Sequence, residues 1–336
     1  MKADTNDLAT IFGKQVRYVV PLYQRPYVWN SENHWRPLWD DVCWVFERSS
    51  QPSTDGKPSP HFLGAVVLEQ LPTQLGEIDV RLVIDGQQRL TTLQLLLAAA
   101  SRVARENGCE AQARLLEGLT RNDPDLAKTR EARFKVWPTN ANRRAFVDVM
   151  AADGAADDEA NRVHEAFAFY LETLRAWAAD QSDVERSFEA LTAVVRSLLK
   201  LVVIDLDAED DAQVIFESLN ARGTPLLAID LVKNLVFQHA ERASVGADLD
   251  ALYENQWSPF DQPHWREEVV QGRLRRPRAE IFLMHWLTMK LAEEISAQHL
   301  YATFKRLLAR ESQPVTETIA EFAAERDVYA DFFRQE

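Results

Sequence analysis

Cysteine is scarce in this sequence: its 336 residues include two, Cys43 and Cys109. Because they form no disulfide framework and no metal-type pair, the sequence fits a reducing cytoplasm. No apolar run approaches the ~20 residues that span a bilayer, and residues 1–13 lack the basic and apolar blocks of a secretory signal. We therefore expect a cytoplasmic protein with no membrane partner.

Positive charge is also in short supply: 38 Lys and Arg residues oppose 52 Asp and Glu residues, for a formal net charge of −14. A field of that sign repels DNA, so contact with nucleic acid would need a local basic surface. The stretch GRLRRPR provides one candidate, with Arg273, Arg275, Arg276 and Arg278. It is either a solvated loop or helix end, or a site of DNA contact.

Hydrophobic periodicity divides the chain into a mixed first part and a helical second part. The predicted strands cover residues 17–22, 62–70, 80–84 and 198–206, with 62–70 and 80–84 forming an antiparallel hairpin. The predicted helices cover residues 38–46, 142–150, 159–179 and 184–199. A later stripe of Phe282, Trp286 and Met289 is typical of a core-facing helix surface. We expect an α+β fold of about two domains, at residues 1–108 and 109–336.

The segment RLVIDGQQRLTTLQLLL is the most informative part of the chain, because it predicts a strand, a tight turn and a helix. Free backbone N–H groups and the positive end of the helix dipole at such a turn suit a phosphate, and Arg89 adds a guanidinium group. A carboxylate does not favour a phosphate directly, so Asp85 implies a bridging divalent cation. The alternative is an ordinary Asp-Gly turn followed by a helix cap.

The segment VPLYQRPYVW is dense in aromatic residues and is stiffened by two prolines. Tyr23, Tyr27 and Trp29 could present flat faces to a base, a sugar or a modified group, while Gln24 and Arg25 could reach phosphates or base edges. Alternatively, these aromatic rings fill an ordinary core and the arginine forms a structural ion pair.

The segment FESLNARGTPLLAIDLVKN predicts a helix end, a turn at Gly223 and a second helix with Asp230 and Lys233 at i, i+3 spacing. One interpretation is a helix–turn–helix connection with a cap and a salt bridge. The other brings Asn220 and Arg222 to the phosphate turn as a sensor or charge stabiliser.

In this order, YQRPYVW, IDGQQRLTTL and FESLNARGTPLLAIDLVKN resemble the DGQQR-motif N-terminal domain of GmrSD-type modification-dependent restriction proteins, which include the phosphorothioate-sensing protein SspE. The resemblance extends over most of residues 10–240. It implies a small ParB/sulfiredoxin-like mixed sheet in residues 1–108, and a helical part in 109–336 that returns residues 220–234 to the site. It also implies hydrolysis of GTP or another NTP, coupled to restriction of phosphorothioated or glucosylated double-stranded DNA.

The residues and the resemblance together predict three groups of site residues. The predicted catalytic residues are Asp85, Gln87, Gln88 and Arg89, with Asp85 also holding Mg²⁺ or another divalent cation. The predicted nucleotide-binding residues are Arg25, Gly86, Thr91, Thr92, Asn220, Arg222 and Lys233. The predicted contacts with DNA or its modification are Tyr23, Gln24, Pro26, Tyr27, Trp29, Arg273, Arg275, Arg276 and Arg278.

One departure from the family pattern concerns the nuclease. Such proteins usually continue into an HNH-type domain with a histidine-containing metal site, and the seven histidines here show no such arrangement. We expect the sequence to be truncated, with the nuclease domain in the full-length chain rather than on a separate one.

Three functions stay open: an NTP-hydrolysing sensor, a modified-DNA binding module without turnover, and ParB-like DNA nicking at the turn. Homo-oligomerisation is a further expectation.

Overall fold

The computed structural model describes residues 2–21, 24–49, 59–71, 73, 76–151, 161–206, 227–243, 249–271, 274–310 and 313–333. Contacts between Cα atoms group the chain into two compact units, Met1–Pro21 with Pro26–Phe216, and Leu22–Arg25 with Glu217–Glu336. These units do not divide at residue 108. Whether the parts on either side of that residue are separate subdomains stays a prediction.

A mixed sheet forms the centre of the first unit. Within the described residues its strand order is β1-β6-β3-β4-β2-β5. The strands are β1 (Lys2–Asp7), β2 (Val16–Val19), β3 (His61–Gln70), β4 (Asp79–Asp85), β5 (Val136–Trp137) and β6 (Leu199–Leu206). The predicted antiparallel pairing of β3 with β4 is confirmed. β6, also a predicted strand, runs parallel to β3 and antiparallel to β1, so the sheet includes chain from well beyond residue 108.

The central strands are buried along consecutive residues, not along alternate ones. Val66, Val67 and Leu68 of β3 are buried, as are residues 82–84 of β4. Such a pattern is typical of a sheet that is covered on both faces. β1, at the edge of the sheet, is polar and largely exposed, which discourages pairing with a further strand.

The helices of the first unit surround one long core helix. They are α1 (Leu8–Phe12), α2 (Arg36–Ser49), α3 (Gln87–Glu106), α4 (Glu110–Glu117), α5 (Asn140–Met150), α6 (Arg162–Ala179) and α7 (Val184–Ala193). α3 is buried almost all round, and α4 and α6 pack against it. The helices predicted at 38–46 and 142–150 are confirmed, and the one predicted at 159–179 is confirmed from Arg162, with residues 159–160 outside the described residues. The one predicted at 184–199 becomes π-helical over Val194–Leu198 and gives way to β6 at Leu199.

The second unit is mainly helical, as predicted. Its described helices are α8 (Ala228–Ala243), α9 (Leu249–Leu252), α10 (Pro263–Arg266), α11 (Arg278–Leu291), α12 (Leu300–Arg310) and α13 (Val315–Phe333), with a hairpin of β7 (Glu268–Gln271) and β8 (Leu274–Pro277) before α11. Phe282 and Trp286 lie in its aromatic core, but Met289 is 63% exposed, so the predicted stripe is wrong at its last residue. None of the described helices is long and apolar enough to cross a membrane.

A buried lysine beside β5 is expected to make stability depend on pH. Lys135 is fully buried, and its Nζ donates to the carbonyl oxygen of Lys14 at 2.5 Å. Burial lowers the pKa of Lys135 from 10.5 to about 8. Because the folded pKa lies below the unfolded one, the cost of burying the charge is fully present below pH 8 and is relieved as the pH rises toward 10.5.

We therefore expect Lys135→Met to stabilise the protein at pH 7, by up to about 3 kcal/mol. The gain should shrink at pH 9.5, where the wild-type lysine is largely neutral. Urea unfolding of both proteins at the two pH values checks this, with Lys14→Met as an exposed-lysine control. A gain that is equal at both pH values would contradict the assignment to lysine protonation.

Candidate functional site

The predicted strand–turn–helix at residues 85–89 is confirmed. β4 ends at Asp85, Gly86 adopts φ 90° and ψ 11°, and α3 begins at Gln87. Glycine is needed at position 86 for two reasons: its positive φ, and the Cγ1 of Val66, which would lie 2.6 Å from an added Cβ. The turn therefore lies directly against β3.

The N-terminus of α3 has no side-chain cap. Gly86 stands at the N-cap position, no side chain of a described residue accepts a hydrogen bond there, and the first turn contains no acidic residue. The first backbone N–H groups of a helix have no intrahelical partner, and the dipole of a twenty-residue helix adds positive potential at this end. The start of α3 is therefore suited to an anion.

The guanidinium of Arg89 lies over β3 beside this helix start. Its Nη1 donates to the carbonyl oxygen of Ala65 at 2.6 Å. Burial lowers the pKa of Arg89, against the opposing effect of the Asp85 carboxylate. No ion pair within the described residues involves Arg89. A partly buried cation without a paired carboxylate is costly on its own and favours an anionic ligand.

Gly64 makes room for that guanidinium, and the sequence prediction did not include it. Its φ is 110°, and an added Cβ would lie 2.9 Å from the Nη2 atom of Arg89. The β3–β6 register shifts between Phe62 and Ala65, as at a β-bulge. A glycine inside the apolar run FLGAVV was the available signal, because glycine in a strand marks a bulge or a close approach.

We expect Gly64→Ala to displace Arg89 from the carbonyl of Ala65 and to lower any NTP hydrolysis at this site at least tenfold, because the guanidinium no longer has its position. The positive φ also costs roughly 1–2 kcal/mol of stability. Gly108→Ala is the matched control: its φ is 77°, but an added Cβ would meet nothing within 4 Å. Phosphate release and urea unfolding separate the two effects. Equal hydrolysis by both variants would contradict the positioning role.

The two glutamines of the turn have different surroundings. The Oε1 atom of Gln87 is buried and has no hydrogen-bond partner among the described residues, which costs about 1–3 kcal/mol unless a water or ligand satisfies it. The amide of Gln88 is bonded at both ends: Nε2 donates to the carbonyl oxygen of Pro26, and Oε1 accepts from the N–H of Val28, each at 2.9 Å. This geometry favours a structural role for Gln88 over the predicted catalytic one.

Tyr27 is fixed in the core, which favours the structural alternative for this ring. Its hydroxyl bonds Thr92 Oγ1 at 2.6 Å and accepts from Trp35 Nε1 at 2.8 Å, and its N–H donates to Asn142 Oδ1 at 2.7 Å. Burial raises the pKa of Tyr27 well above its ordinary value. The Thr92 hydroxyl also donates to the carbonyl oxygen of Gln88. Thr92 thus holds Tyr27 on α3, which favours a structural role over the predicted nucleotide contact.

The other side chains of VPLYQRPYVW, and Thr91 at the start of α3, differ in how far they are exposed to solvent. Val28 is 49% exposed, and Trp29 is partly exposed and stacks on His34 with ring centroids 4.7 Å apart. Pro26 and Arg25 are partly exposed, whereas Gln24 and Thr91 are buried. Tyr23 lies outside the described residues. The accessible surface of residues 26–29 is therefore apolar and centred on Val28, a residue absent from the sequence prediction.

The third motif forms a buried charge network inside the second unit. Lys233 is fully buried, with Nζ at 2.9 Å from both carboxylate oxygens of Asp261. Arg266 donates to both oxygens of Asp230 at 2.7 Å and to Asp261 at 2.8 Å. Tyr253 donates to Asp261 at 2.7 Å. The i, i+3 pair predicted between Asp230 and Lys233 is replaced by partners later in the chain.

This network bears on the predicted nucleotide role of Lys233. Burial alone would raise the pKa of Asp261, but the Lys233 ammonium, Tyr253 and Arg266 together lower it, so the carboxylate stays charged and bound to the lysine. The ammonium is thus engaged inside its own unit and is poorly placed to bind a phosphate. Asn220 and Arg222 lie outside the described residues. The sequence carried no signal for Asp261 or Arg266, which are distant along the chain.

The described part of the basic stretch is a β-hairpin strand, and Arg278 lies at the start of the helix that follows, so the helix-end alternative fits that residue. Leu274–Pro277 pairs with Glu268–Gln271, and Arg275 is exposed opposite Val270. Arg276 lies 3.8 Å from Glu280, and Arg278 lies 3.9 Å from Glu267. Arg273 lies outside the described residues. Arg276 and Arg278 thus each have a carboxylate nearby, and Arg275 is the exposed arginine of this hairpin within the described residues.

Comparison with known proteins identifies the family. The family model for the N-terminal domain of the GmrSD restriction endonuclease matches residues 8–237, well over half of the chain. Comparison with curated proteins finds no match. The matched range contains the strand–turn–helix at residues 85–89 and residues 26–28, to which the side chain of Gln88 is hydrogen-bonded. The chain therefore belongs to the family of GmrSD restriction endonuclease N-terminal domains, whose setting is DNA restriction in antiviral defence.

Proposed function

We propose that the turn at residues 85–89 binds and hydrolyses an NTP, with GTP as the first candidate, in a protein that senses modified DNA. The observation that carries the proposal is a conjunction at one turn: within the described residues, the start of α3 has no side-chain cap and the partly buried Arg89 has no ion pair. Both features are unfavourable without a ligand, and an anionic phosphate would satisfy both.

Each group at the turn has a distinct role in this proposal. The backbone N–H groups of residues 86–88 bind phosphate oxygens, and Arg89 stabilises negative charge on the transferred phosphoryl group. The unsatisfied Oε1 of Gln87 accepts a hydrogen bond from the attacking water and orients it. Gln88 holds residues 26–28 against the same helix.

The surroundings of Asp85 suit Mg²⁺ better than they suit a metal ion whose ligands are mainly protein side chains. Its side chain is partly exposed at the end of β4, and the described residues contain no group of three or more His, Cys, Asp or Glu side chains that could hold a metal ion. Mg²⁺ is commonly held by one or two carboxylates, with phosphates and water supplying the remaining oxygen ligands. When bound, the ion would neutralise phosphate charge at the turn.

Two surfaces are candidates for contact with DNA, one in each unit. The apolar surface of Pro26, Val28 and Trp29 could accommodate a modification that ordinary DNA lacks. Arg275, Arg276 and Arg278 of the hairpin region could contact backbone phosphates, since a two-stranded β-ribbon fits the major groove.

An NTP panel tests the proposal. Phosphate release from GTP, ATP, CTP and UTP is measured with unmodified, phosphorothioated and glucosylated DNA. We expect Mg²⁺-dependent hydrolysis of at least one NTP, changed by one modified DNA and not by its unmodified counterpart. Binding of modified DNA with no release from any NTP would support the binding module instead. Plasmid nicking without NTP would support a ParB-like nuclease.

A further inference from the structure

An exposed phenylalanine lies close to the start of α3, on the strand that also receives the guanidinium of Arg89. Phe62 of β3 is 54% exposed. It precedes Gly64, over which Arg89 lies, by two residues, so the Cα atoms of Phe62 and Gly64 are at most about 7 Å apart. A single exposed apolar side chain is ordinary on a protein surface. The position of Phe62 beside the proposed phosphate site is therefore what distinguishes it.

The strand register places Phe62 on the same face of the sheet as Asp85. The paired residues of β3 and β6 are Phe62 with Lys200, Ala65 with Val202, and Val67 with Ile204. The three β6 residues alternate with buried ones along their strand, so they and their partners share one face. Val67 also pairs with Asp85 of β4. The side chains of Phe62 and Asp85 thus point to the same side of the sheet, although β3 has a bulge between Phe62 and Ala65.

The spacing along this face suits a nucleoside triphosphate. Four residue steps of β6 separate the partner of Phe62 from the partner of Val67, which is about 13 Å at roughly 3.3 Å per residue. The guanidinium of Arg89 lies between these two positions, bonded to the carbonyl oxygen of Ala65. Asp85, the guanidinium of Arg89 and the ring of Phe62 therefore follow one another along one direction, over about the length of an extended nucleoside triphosphate.

We propose that Phe62 stacks on the base of the bound NTP, while the phosphates of the NTP lie at the start of α3; this inference rests on the proposed function. A base stacks on an aromatic ring whatever hydrogen-bonding groups it carries, because every base has a π-face. This contact distinguishes a nucleotide from an inorganic polyphosphate, but it does not distinguish GTP from ATP.

The test separates the base from the phosphates. Isothermal titration of the full chain measures binding of a non-hydrolysable GTP analogue and of tripolyphosphate, both with Mg²⁺. Phe62→Leu keeps an apolar side chain but removes the flat ring. We expect it to weaken binding of the analogue at least about fivefold, the lower end for the loss of one base–aromatic stack. Binding of tripolyphosphate should not change.

Two further variants serve as controls. Phe62→Tyr keeps the ring, so it should bind the analogue within about twofold of the wild-type protein. Leu115→Ala changes an apolar residue of α4 that is 46% exposed, and it should leave binding of both ligands unchanged. A photolabel on the base gives an independent measurement: 8-azido-GTP should label the peptide that contains Phe62, and excess GTP should prevent this labelling.

The role of Phe62 would be overturned by equal binding of the analogue to the wild-type and Phe62→Leu proteins, by an equal loss of both ligands in Phe62→Leu, or by photolabelling confined to other peptides. Arg89→Ala distinguishes this failure from failure of the proposed function, because it should weaken binding of both ligands. If Arg89→Ala weakens neither, or if neither ligand binds, the nucleotide does not occupy this turn, and the role of Phe62 is rejected together with the proposed function.

Discussion

Replacing Arg89 by alanine is expected to lower NTP hydrolysis by at least about a thousandfold, the range of effects for an arginine that stabilises a phosphoryl transition state. The guanidinium is already placed, since it donates to the carbonyl oxygen of Ala65 and lies over Gly64. Its burial lowers its pKa, so the cation is poorly solvated before a ligand arrives. Such a group gains more from a phosphate than an exposed arginine would.

Single-turnover phosphate release measures this effect at saturating NTP and Mg²⁺. Arg114→Ala is the matched control, because Arg114 is exposed on α4. A thermal melt of each variant establishes that the fold is intact. Hydrolysis by a folded Arg89→Ala protein within tenfold of the wild-type rate would remove Arg89 from the catalytic site.

The elements around this site were predictable, whereas their connections were not. Apolar runs at 62–70, 80–84 and 198–206 identified β3, β4 and β6, and the Asp85-Gly86 turn identified the start of α3. Local pattern fixes such elements because it reflects which residues must be buried. It cannot give the parallel pairing of β6 with β3, because that pairing joins residues far apart in the chain.

Replacing Asp261 by asparagine is expected to destabilise the second unit by about 3–5 kcal/mol, the typical cost of leaving a buried charge without its partner. Lys233 is fully buried, and its ammonium lies between the two oxygens of Asp261. Asparagine keeps the shape but removes the negative charge. Lys233→Met should cost less, because Asp261 keeps its hydrogen bonds from Arg266 and Tyr253.

Urea unfolding followed by tryptophan fluorescence checks this order, because Trp257 and Trp265 lie in the core of the second unit. Glu254→Gln, on an exposed side chain, is the control for loss of a carboxylate. If Asp261→Asn costs no more than Glu254→Gln, or less than Lys233→Met, the network does not stabilise this unit as described.

A site residue was predicted correctly where its position depends on local structure, and less well where it depends on partners distant in the chain. Asp85, Gly86 and Arg89 lie at the predicted turn, because a strand–turn–helix is a local structure. Gln88 and Tyr27 looked like functional residues but bond to residues 60 or more positions away in the chain. In the sequence, a side chain that bonds a ligand looks the same as one that bonds the backbone. The folded structure is therefore needed to distinguish the two roles.

The most direct test of the central claim is hydrogen exchange at the start of α3. If a triphosphate is bound by the N–H groups of residues 86–88, GTP with Mg²⁺ should slow amide exchange in a peptide covering residues 83–91. The Arg89→Ala protein should lose most of that protection. Nucleotide binding that leaves this peptide unprotected, or protects it equally in the Arg89→Ala protein, would contradict the assignment of the nucleotide to this turn.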